Sequence, residues 1–350
     1  MTNDKGILIK NIYYMLSYAF QVLKQGAYEE IAAEHFNEID DLFAAILSRG
    51  VSRQLKQGLY REYIVRQESL STMRGKLKID GTIRLRMRKA RKLSCEFDEL
   101  SENNLYNQIL KTTMAVLLRL GRVQQERKTA LKRVLACFDT IDEIKPELIE
   151  WNRFVYHKSN KNYEMLLNIC YFVLSGMLQT TDSGIYKMAS FTDEHMARLY
   201  EKFVLEYYRY HYPQLQASPA QVKWDLPLHT DERVIRFLPI MQTDITLRNK
   251  ERTLIIDTKY YGQTMQVRYD AQTFHSGNLY QIFTYVNNEQ ANSIREVSGM
   301  LLYAKTNESV TPDAEFVIGS KRFAVKTLDL NRDFSGIAQQ LNGIVTNYLS

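Results

Sequence analysis

The segment from Met241 to Tyr260 constrains the fold more than any other part of this chain. Apolar and polar residues alternate on both sides of a short polar turn at Lys250 and Glu251, a pattern typical of a β-hairpin. With the turn centred there, residues whose numbers sum to 501 lie opposite each other, so Asp244 faces Asp257. The Cβ atoms of directly opposed residues are roughly 5 Å apart.

The same register sorts the hairpin into two faces. Because side chains alternate along a strand, Lys259 shares the face of Asp257. The opposite face receives four aliphatic side chains, those of Ile245, Leu247, Leu254 and Ile256, and is predicted to join a core. Two opposed carboxylates repel unless a cation lies between them, and a hard divalent ion such as Mg²⁺ prefers oxygen ligands. The hairpin therefore predicts a metal site of the kind that hydrolyses phosphodiesters.

A simpler interpretation is a solvated hairpin with a cross-strand ion pair. An acid, any residue and then lysine occurs three times in the chain, at Glu126–Lys128, Glu143–Lys145 and Asp257–Lys259, so the tripeptide alone has little value. Only the third copy ends an Ile-Ile strand and has a second aspartate in register. That context favours the metal site.

Two amphipathic segments flank the hairpin. Upstream, residues 194–208 have apolar residues at helical spacing, and Glu201 lies between the apolar rows. Downstream, residues 278–285 predict a second helix, in which Gln281 and Tyr285 share one face. The order is a helix with Glu, a strand with Asp, a strand with Asp-x-Lys and a helix with Gln-x-x-x-Tyr.

This order resembles the PD-(D/E)xK nuclease superfamily, in its branch with a Gln-x-x-x-Tyr helix. Six separate segments together are similar to the McrC family, which supplies the nuclease subunit of modification-dependent restriction systems. They are Asn11–Leu16, Phe97–Asn107, Leu199–Phe203, Thr243–Thr246, Ile256–Tyr261 and Phe274–Gln281. The resemblance runs from about residue 10 to the C-terminus. The chain departs from the pattern at Thr258, where Ala is as readily expected.

The resemblance implies an α+β N-terminal domain with a small sheet and helices, followed by a restriction-endonuclease-like α/β/α domain. It also implies roles for the site residues. Asp244, Asp257 and the carbonyl of Thr258 would hold one or two Mg²⁺ ions, and Lys259 would orient the attacking water. Glu201 would accept a hydrogen bond from metal-bound water, while Gln281 and Tyr285 would hold the strand or contact the DNA backbone.

The chain contains no Gly-x-x-x-x-Gly-Lys-Ser/Thr phosphate loop. A restriction system that moves along DNA therefore needs another protein as its motor. The resemblance implies a ring-forming McrB-type AAA+ partner that binds GTP and recognises modified cytosine in double-stranded DNA. The N-terminal domain would insert into that ring and stimulate it, and the chains could self-associate in the full complex.

Two other functions remain open at this stage. The chain could be an adaptor that activates the ring without cleaving DNA, although an idle site has no need of Asp244, Asp257 and Lys259. It could instead be a stand-alone repair nuclease, which would need its own DNA-recognition surface.

The charge of the chain is concentrated towards its N-terminus. Residues 1–190 hold 29 Lys and Arg against 22 Asp and Glu, whereas residues 191–350 hold 17 against 18. Between Arg74 and Lys92, nine basic residues accompany one acid, Asp80. This run could bind phosphates, dock on an acidic partner or be a solvated helix face.

Periodicity and turn residues predict the organisation. Helices are expected at about 10–24, 39–57, 123–137 and 161–179, with another from a cap at residues 101–104 to about 120. Strands are expected at 63–70, 76–83 and 92–97. The polar segment 180–184 predicts a boundary between a partner-binding domain, residues 1–184, and an endonuclease domain, residues 185–350.

The remaining candidates concern single residues. His275 precedes the Gln281 helix, where it could help to bind a phosphate or simply form the loop. One of Tyr260 and Tyr261 is expected in the core. The three cysteines have no paired spacing, and neither a disulfide framework nor a zinc site is predicted. The N-terminus lacks a signal peptide and no apolar run has membrane-spanning length, so a cytoplasmic protein without membrane contact is expected.

Overall fold

The computed structural model divides into two compact units, one of Met1–Leu42 with Ala189–Ser350 and one of Phe43–Met188. The residues that it describes are 3–4, 7–20, 31, 34, 36, 38–156, 161–177, 193–227, 229–260, 266–268, 271–305 and 311–350. None of the helices in these ranges has the length and apolar character needed to cross a membrane. The predicted boundary at 180–184 lies outside the described residues.

The unit Phe43–Met188 combines a small sheet with helices, as expected. Its sheet has the order β3-β5-β4 and consists of antiparallel strands. The strands are β3 (Glu62–Leu70), β4 (Lys76–Leu77) and β5 (Leu93–Ser101). Its helices are α2 (Ile39–Gln57, which crosses the boundary), α3 (Ile79–Met87), α4 (Leu105–Leu120), α5 (Gln125–Leu135) and α6 (Lys161–Met177).

The predicted cap of α4 is confirmed. The side chain of Asn104 accepts a hydrogen bond from the backbone N–H of Asn107, at 3.2 Å. Asn107 is itself fully buried, and its amide donates to the carbonyls of Tyr60 and Glu102. A cap of this kind satisfies a backbone donor that the first helical turn leaves without a partner.

The predicted strand at 76–83 is wrong beyond its first two residues. Only Lys76 and Leu77 pair with β5, and the chain then forms α3. The hydroxyl of Thr82 donates to the Lys78 carbonyl and accepts from the backbone N–H of Ser94, which fastens the helix to β5. Alternation over 76–83 suggested a strand, whereas the spacing of four between Ile79, Ile83 and Met87 indicated the helix.

The second unit is built on a five-stranded mixed sheet in the order β13-β14-β12-β9-β8. Its strands are β8 (Ile245–Arg248), β9 (Arg252–Lys259), β12 (Glu296–Ala304), β13 (Ala314–Ile318) and β14 (Lys321–Leu328). β9, β12 and β14 run parallel, so their carboxyl ends meet at one edge, while β8 and β13 run antiparallel to their neighbours. Short two-stranded ribbons accompany the sheet, formed by β1 (Asn3–Asp4) with β2 (Ile7–Leu8), β6 (Gln221–Val222) with β7 (Met241–Gln242), and β10 (Gln266–Arg268) with β11 (Ala271–Thr273).

Helices cover both faces of this sheet. On one face α9 (Ser276–Ala291) packs Ile282 and Val286 against Ile255 and Leu301. Because side chains alternate, Leu254 and Ile256 point to the other face, where α7 (Asp193–His211) and α10 (Phe334–Leu349) contact β9. A short helix, α8 (Glu232–Phe237), lies between β6 and β7. The unit is thus a layered α/β structure.

The first 42 residues belong with this second unit rather than with residues 43–184, where the sequence placed them. Helix α1 (Ile9–Ala19) packs on α7 and α10: Tyr18 contacts Phe203 with ring centroids 5.6 Å apart, and Tyr14 stacks on Phe334 at 4.4 Å. The Asn11 amide donates to the carbonyls of Leu330 and Arg332, each at 2.7 Å. Contacts between residues more than 300 positions apart leave no signal in local periodicity.

Candidate active site

The hairpin pairs in the predicted register. Ile245 lies opposite Ile256 and Arg248 opposite Thr253, so the paired numbers sum to 501. Asp244 is the residue before this ladder, next to the carboxyl end of β9. The four aliphatic residues of the opposite face are completely buried, as predicted.

Asp244 is fixed to β9 by two hydrogen bonds. Its Oδ2 atom accepts from the backbone N–H of Thr258 at 2.7 Å and from the Thr258 hydroxyl at 2.9 Å. The second bond requires a hydroxyl, so the departure from Ala at position 258 adds a contact that Ala could not make. Both bonds use the same oxygen of the carboxylate.

Asp257 is the most deeply buried charged group of the site. The Lys259 ammonium lies 2.6 Å from its Oδ2 atom, and no other donor among the described residues reaches either carboxylate oxygen. Burial and the nearby charge of Asp244 raise the pKa of Asp257 to about 6, against the opposing effect of Lys259. Burying a carboxylate in this way is costly unless a partner compensates it.

A short polar chain leads from Lys259 into α9. The ammonium donates to Gln281 Oε1 at 3.3 Å, and the Gln281 amide donates to the Tyr285 hydroxyl at 3.0 Å. Gln281 and Tyr285 therefore share one face of the helix, as predicted, and that face is turned towards Lys259. Tyr285 is also part of the core between α9 and the sheet.

Two further residues at this end of the sheet were not found from the sequence. Tyr303 on β12 pairs with Lys259 in the parallel register and is fully buried. Its hydroxyl accepts a hydrogen bond from the Asn278 amide at 2.9 Å, in the first turn of α9. The available signals were the position of Asn278, three residues before Gln281, and a tyrosine near the end of an apolar strand.

Glu201, on α7, lies within electrostatic reach of both aspartates. Burial raises its pKa to about 6, with contributions from Asp244 and Asp257, while Lys259 and Arg198 act in the opposite direction. The structure thus brings together Glu201 of α7, Asp257 and Lys259 of β9, and Asp244, the residue before β8. Three acidic groups so close together favour a cation or a proton between them.

The groups available to a cation are the two aspartates and the carbonyl of Thr258. Within the described residues, no three His, Cys, Asp or Glu side chains are arranged to hold a metal ion by themselves. The buried Asp257 oxygens are nevertheless short of donors, which is the condition that a bound hard cation would satisfy. The residues therefore fit a divalent ion that takes its remaining oxygens from backbone and solvent.

The single-residue candidates have different outcomes. Tyr260 is buried, with its ring centroid 6.5 Å from that of Tyr200, so the expectation of a core tyrosine is met by Tyr260; Tyr261 lies outside the described residues. His275 occupies the N-cap position of α9, and its carbonyl accepts from the backbone N–H groups of Asn278 and Leu279. A loop role for His275 is therefore observed, and its phosphate-binding role remains a prediction.

Fold and site together define a layered α/β protein with an acidic, lysine-containing site at the carboxyl end of β9, next to the edge strand β8. The family model described as "McrBC 5-methylcytosine restriction system component" matches residues 3–304. The chain belongs to this family, and within it to the McrC family that its motifs resemble.

Two comparisons extend over the whole chain. The Escherichia coli K12 protein named "Type IV methyl-directed restriction enzyme EcoKMcrBC" is 28% identical over 351 residues, which is 98% of each protein. A solved structure described as a refined half-complex from a tetradecameric assembly of Thermococcus gammatolerans McrB AAA+ hexamers with bound McrC is similar in fold. The match has a TM-score of 0.50 at 18% identity and covers 96% of this chain and 76% of that one.

Proposed function

We propose that this protein is a Mg²⁺-dependent DNA endonuclease of the PD-(D/E)xK superfamily, acting as the nuclease subunit of a modified-cytosine-dependent restriction complex. The observation that carries the proposal is the convergence of Asp244, Asp257 and Lys259 at one strand end, with the buried Asp257 oxygens short of donors. A hydrolytic metal site needs such oxygens.

Asp257 and the carbonyl of Thr258 would hold the ion, together with Asp244 through Oδ1, the oxygen that Thr258 does not engage. When bound, Mg²⁺ supplies charge that polarises the phosphate and lowers the pKa of water. Lys259 then has its ammonium available to orient that water and to offset charge that develops on the phosphate. Glu201 accepts a hydrogen bond from water on the other side of the site.

Gln281 and Tyr285 hold Lys259 rather than the DNA in this proposal. The supporting geometry is the chain of hydrogen bonds from Lys259 through the Gln281 amide to the Tyr285 hydroxyl. A lysine has many rotamers, and fixing one of them before substrate binds reduces the entropy lost in the transition state.

The partner in this proposal is an AAA+ ring of the McrB type that binds and hydrolyses GTP. The similarity to a structure of McrB hexamers with bound McrC supports this partner, as does the family to which the chain belongs. The name of the bacterial relative, a methyl-directed restriction enzyme, supports DNA with modified cytosine as the substrate. The chain itself would bind no GTP, because it has no phosphate loop.

The test is to compare Asp244→Ala and Asp257→Ala with the wild type in the assembled complex, with GTP, Mg²⁺ and methylated DNA. Both variants should lose cleavage and still stimulate GTP hydrolysis by the ring, since we assign ring activation to the N-terminal part of the chain, residues 1–184, which contains neither aspartate. Wild-type cleavage by a folded variant would refute the metal site. A wild-type complex that stimulates hydrolysis and never cuts DNA would identify the chain as an adaptor.

A further inference from the structure

The basic segment, residues 74–92, is a part of the unit Phe43–Met188 that the proposed nuclease site does not use. Two of its nine cations are tied to the sheet: Lys78 pairs with Glu96 at 2.7 Å, and Arg74 lies over the Phe97 ring at 3.9 Å. The other seven are exposed, and none has an acidic partner among the described residues. They are Lys76, Arg84, Arg86, Arg88, Lys89, Arg91 and Lys92.

Helix α3 packs on β5 through Gly81 and Thr82, and its basic side chains remain exposed. A Cβ atom on Gly81 would lie only 2.4 Å from Ser94 Oγ, so the helix touches the strand at this glycine. Thr82, next to it, is buried, while Arg84 and Arg86 on the same helix are exposed. The segment thus presents seven exposed cations without an acidic partner among the described residues and one exposed acid, Asp80.

Lys89 shows that one of these cations is kept at a conformational cost. Its backbone has φ of 58°, a left-handed conformation, and its N–H closes the end of α3 on the Arg86 carbonyl at 2.9 Å. Glycine is the residue that ends helices in this conformation without strain. A lysine there serves the helix end less well than glycine, so Lys89→Gly would remove the charge and the backbone strain together.

We propose that the basic segment binds the phosphate backbone of double-stranded DNA, as a second contact surface outside the candidate active site. This inference rests on the proposed function only in taking DNA as the substrate. A short segment with seven exposed cations and no acidic partner for them among the described residues is the electrostatic signature of nucleic-acid binding. The contacts are to phosphates and independent of sequence, so the segment holds any duplex rather than selecting the modified site.

A protein ligand is the competing possibility. The same helix exposes Ile79, Ile83 and Met87, at 67%, 52% and 80% of their surface, which a partner protein could cover. Lysine is depleted from protein interfaces whereas arginine is enriched there, so the choice rests on net charge: the segment has seven exposed cations without acidic partners among the described residues for three apolar side chains. The charge therefore favours DNA.

The first experiment measures binding of the full-length chain to a short unmodified fluorescent duplex by anisotropy, in EDTA, between about 50 and 200 mM salt. The test variant carries Arg84→Gln, Arg88→Gln and Lys92→Gln. The control carries Lys128→Gln, Lys132→Gln and Arg133→Gln on α5, with the same loss of charge in the same unit. Each lost phosphate contact lowers the slope of log affinity against log salt by about 0.9, so the slope should fall by up to about 2.7 in the test variant. In the control variant the slope should fall by less than about 0.9.

The second experiment separates the charge of Lys89 from its structural role. Lys89→Gly relieves a left-handed residue, so the thermal midpoint should rise while the salt slope falls by about 0.9. The matched control is Gln216→Gly, at the other left-handed non-glycine residue of the described chain, with φ of 50°. It should also raise the midpoint and leave DNA binding unchanged.

The results distinguish the two ligands. Equal salt slopes for the test and control triples, or no binding of the wild-type chain to the duplex, would overturn the proposal. If the test triple instead lost binding to the GTPase ring with an unchanged salt slope, the ligand would be an acidic protein surface. None of these measurements involves cleavage, so the nuclease proposal stands or falls separately with Asp244 and Asp257.

Discussion

At the scale of single residues, Asp257 carries the largest electrostatic cost in the site. It is a buried carboxylate, and Lys259, its one cationic neighbour among the described residues, also contacts Gln281. A carboxylate in such a place either takes up a proton or binds a cation. The raised pKa of Asp257 means that the carboxylate takes up a proton readily in the metal-free protein. In the proposed site, bound Mg²⁺ supplies the compensating charge instead.

Substitutions of Lys259 and of the aspartates should have different effects on Mg²⁺ binding. Because an ammonium cannot coordinate a metal, Lys259→Ala should slow cleavage by roughly a hundredfold or more while Mg²⁺ affinity is kept or slightly raised. Asp257→Ala should weaken Mg²⁺ binding outright, because it removes an oxygen ligand. Calorimetric titration of both folded variants checks this. Equal losses of Mg²⁺ affinity in the two variants would mean that Lys259 maintains the structure of the metal site and does not take part in the reaction.

The raised pKa of Asp257 predicts how the metal-free protein responds to pH. Its ordinary value is 3.8 and its value in the fold is about 6, so between these limits the folded state binds the proton that the unfolded state has lost. The free energy of unfolding should therefore fall as pH rises from about 4 to beyond 6, by roughly 3 kcal/mol at most from this group. Glu201 acts in the same direction.

Urea denaturation at several pH values in EDTA measures this slope. Asp257→Asn should flatten it and be more stable than the wild type at pH 8, since the neutral amide cannot ionise. At pH 8, saturating Mg²⁺ should make the wild type more stable than Asp257→Asn. A wild-type slope identical to that of Asp257→Asn would contradict the assignment of the raised pKa.

At the scale of elements, the placement of α9 decides where Gln281 meets Lys259. The helix approaches β12 closely because position 299 is a glycine: an added Cβ would lie 2.7 Å from Val286 and 2.8 Å from Ile282. Farther along, Asn278 and Tyr303 join the first turn of α9 to the end of the same strand. The sheet and helix thus hold Gln281 by contacts on both sides of it.

Gly299→Ala should push α9 from the sheet and disturb the site. Overpacking a core costs about 1–3 kcal/mol, and cleavage should fall because Gln281 moves with its helix. The control is Gly343→Ala in α10, where nothing lies within 4 Å of an added Cβ. That variant should be more stable by up to about 1 kcal/mol, with unchanged cleavage, as alanine is the better helix former. Chemical denaturation and cleavage assays check both; a neutral Gly299→Ala would mean that α9 adapts without cost.

At the scale of the whole molecule, one compact unit is formed by two segments that are far apart in the sequence, Met1–Leu42 and Ala189–Ser350. Residues 43–188 form a unit of their own between two segments that fold together. The cut suggested by the polar segment 180–184 therefore separates α1 from the helices on which it packs. Domain roles assigned by sequence position have to be tested with fragments that respect this arrangement.

Residues 185–350 expressed alone should be unstable or aggregated, since loss of α1 exposes Phe203, Tyr207 and Phe334. Joining residues 1–42 to residues 189–350 by a flexible linker should restore cooperative unfolding. Thermal unfolding followed by near-ultraviolet circular dichroism compares the two, with Asn11→Ala in the joined fragment as a milder disruption. A cooperative transition in residues 185–350 at the same temperature would show that α1 is dispensable. The fragment 43–188 should still bind the GTPase ring.

The sequence by itself determined the register and the two faces of the hairpin. The register, the pairing of Asp244 with the end of β9 and the four buried aliphatic residues all follow from alternation about one turn, since strand geometry is local. The spacing of Gln281 and Tyr285 likewise follows from the helical period. Membership of the McrC family was likewise predicted from short motifs and their order along the chain, which are local features of the sequence. The family model confirms it.

Only the tertiary structure decided which distant segments meet. The return of residues 1–42 to the C-terminal unit, the pairing of Tyr303 with Lys259 and the hydrogen bond from Asn278 all join positions whose separation leaves no periodic trace. The replacement of a strand by α3 is also fixed by packing, because pairing with β5 ends after two residues and the Thr82 hydroxyl accepts a hydrogen bond from Ser94 on that strand. Local patterns specify faces and registers; the choice of neighbour depends on packing across the whole chain, which no window of sequence contains.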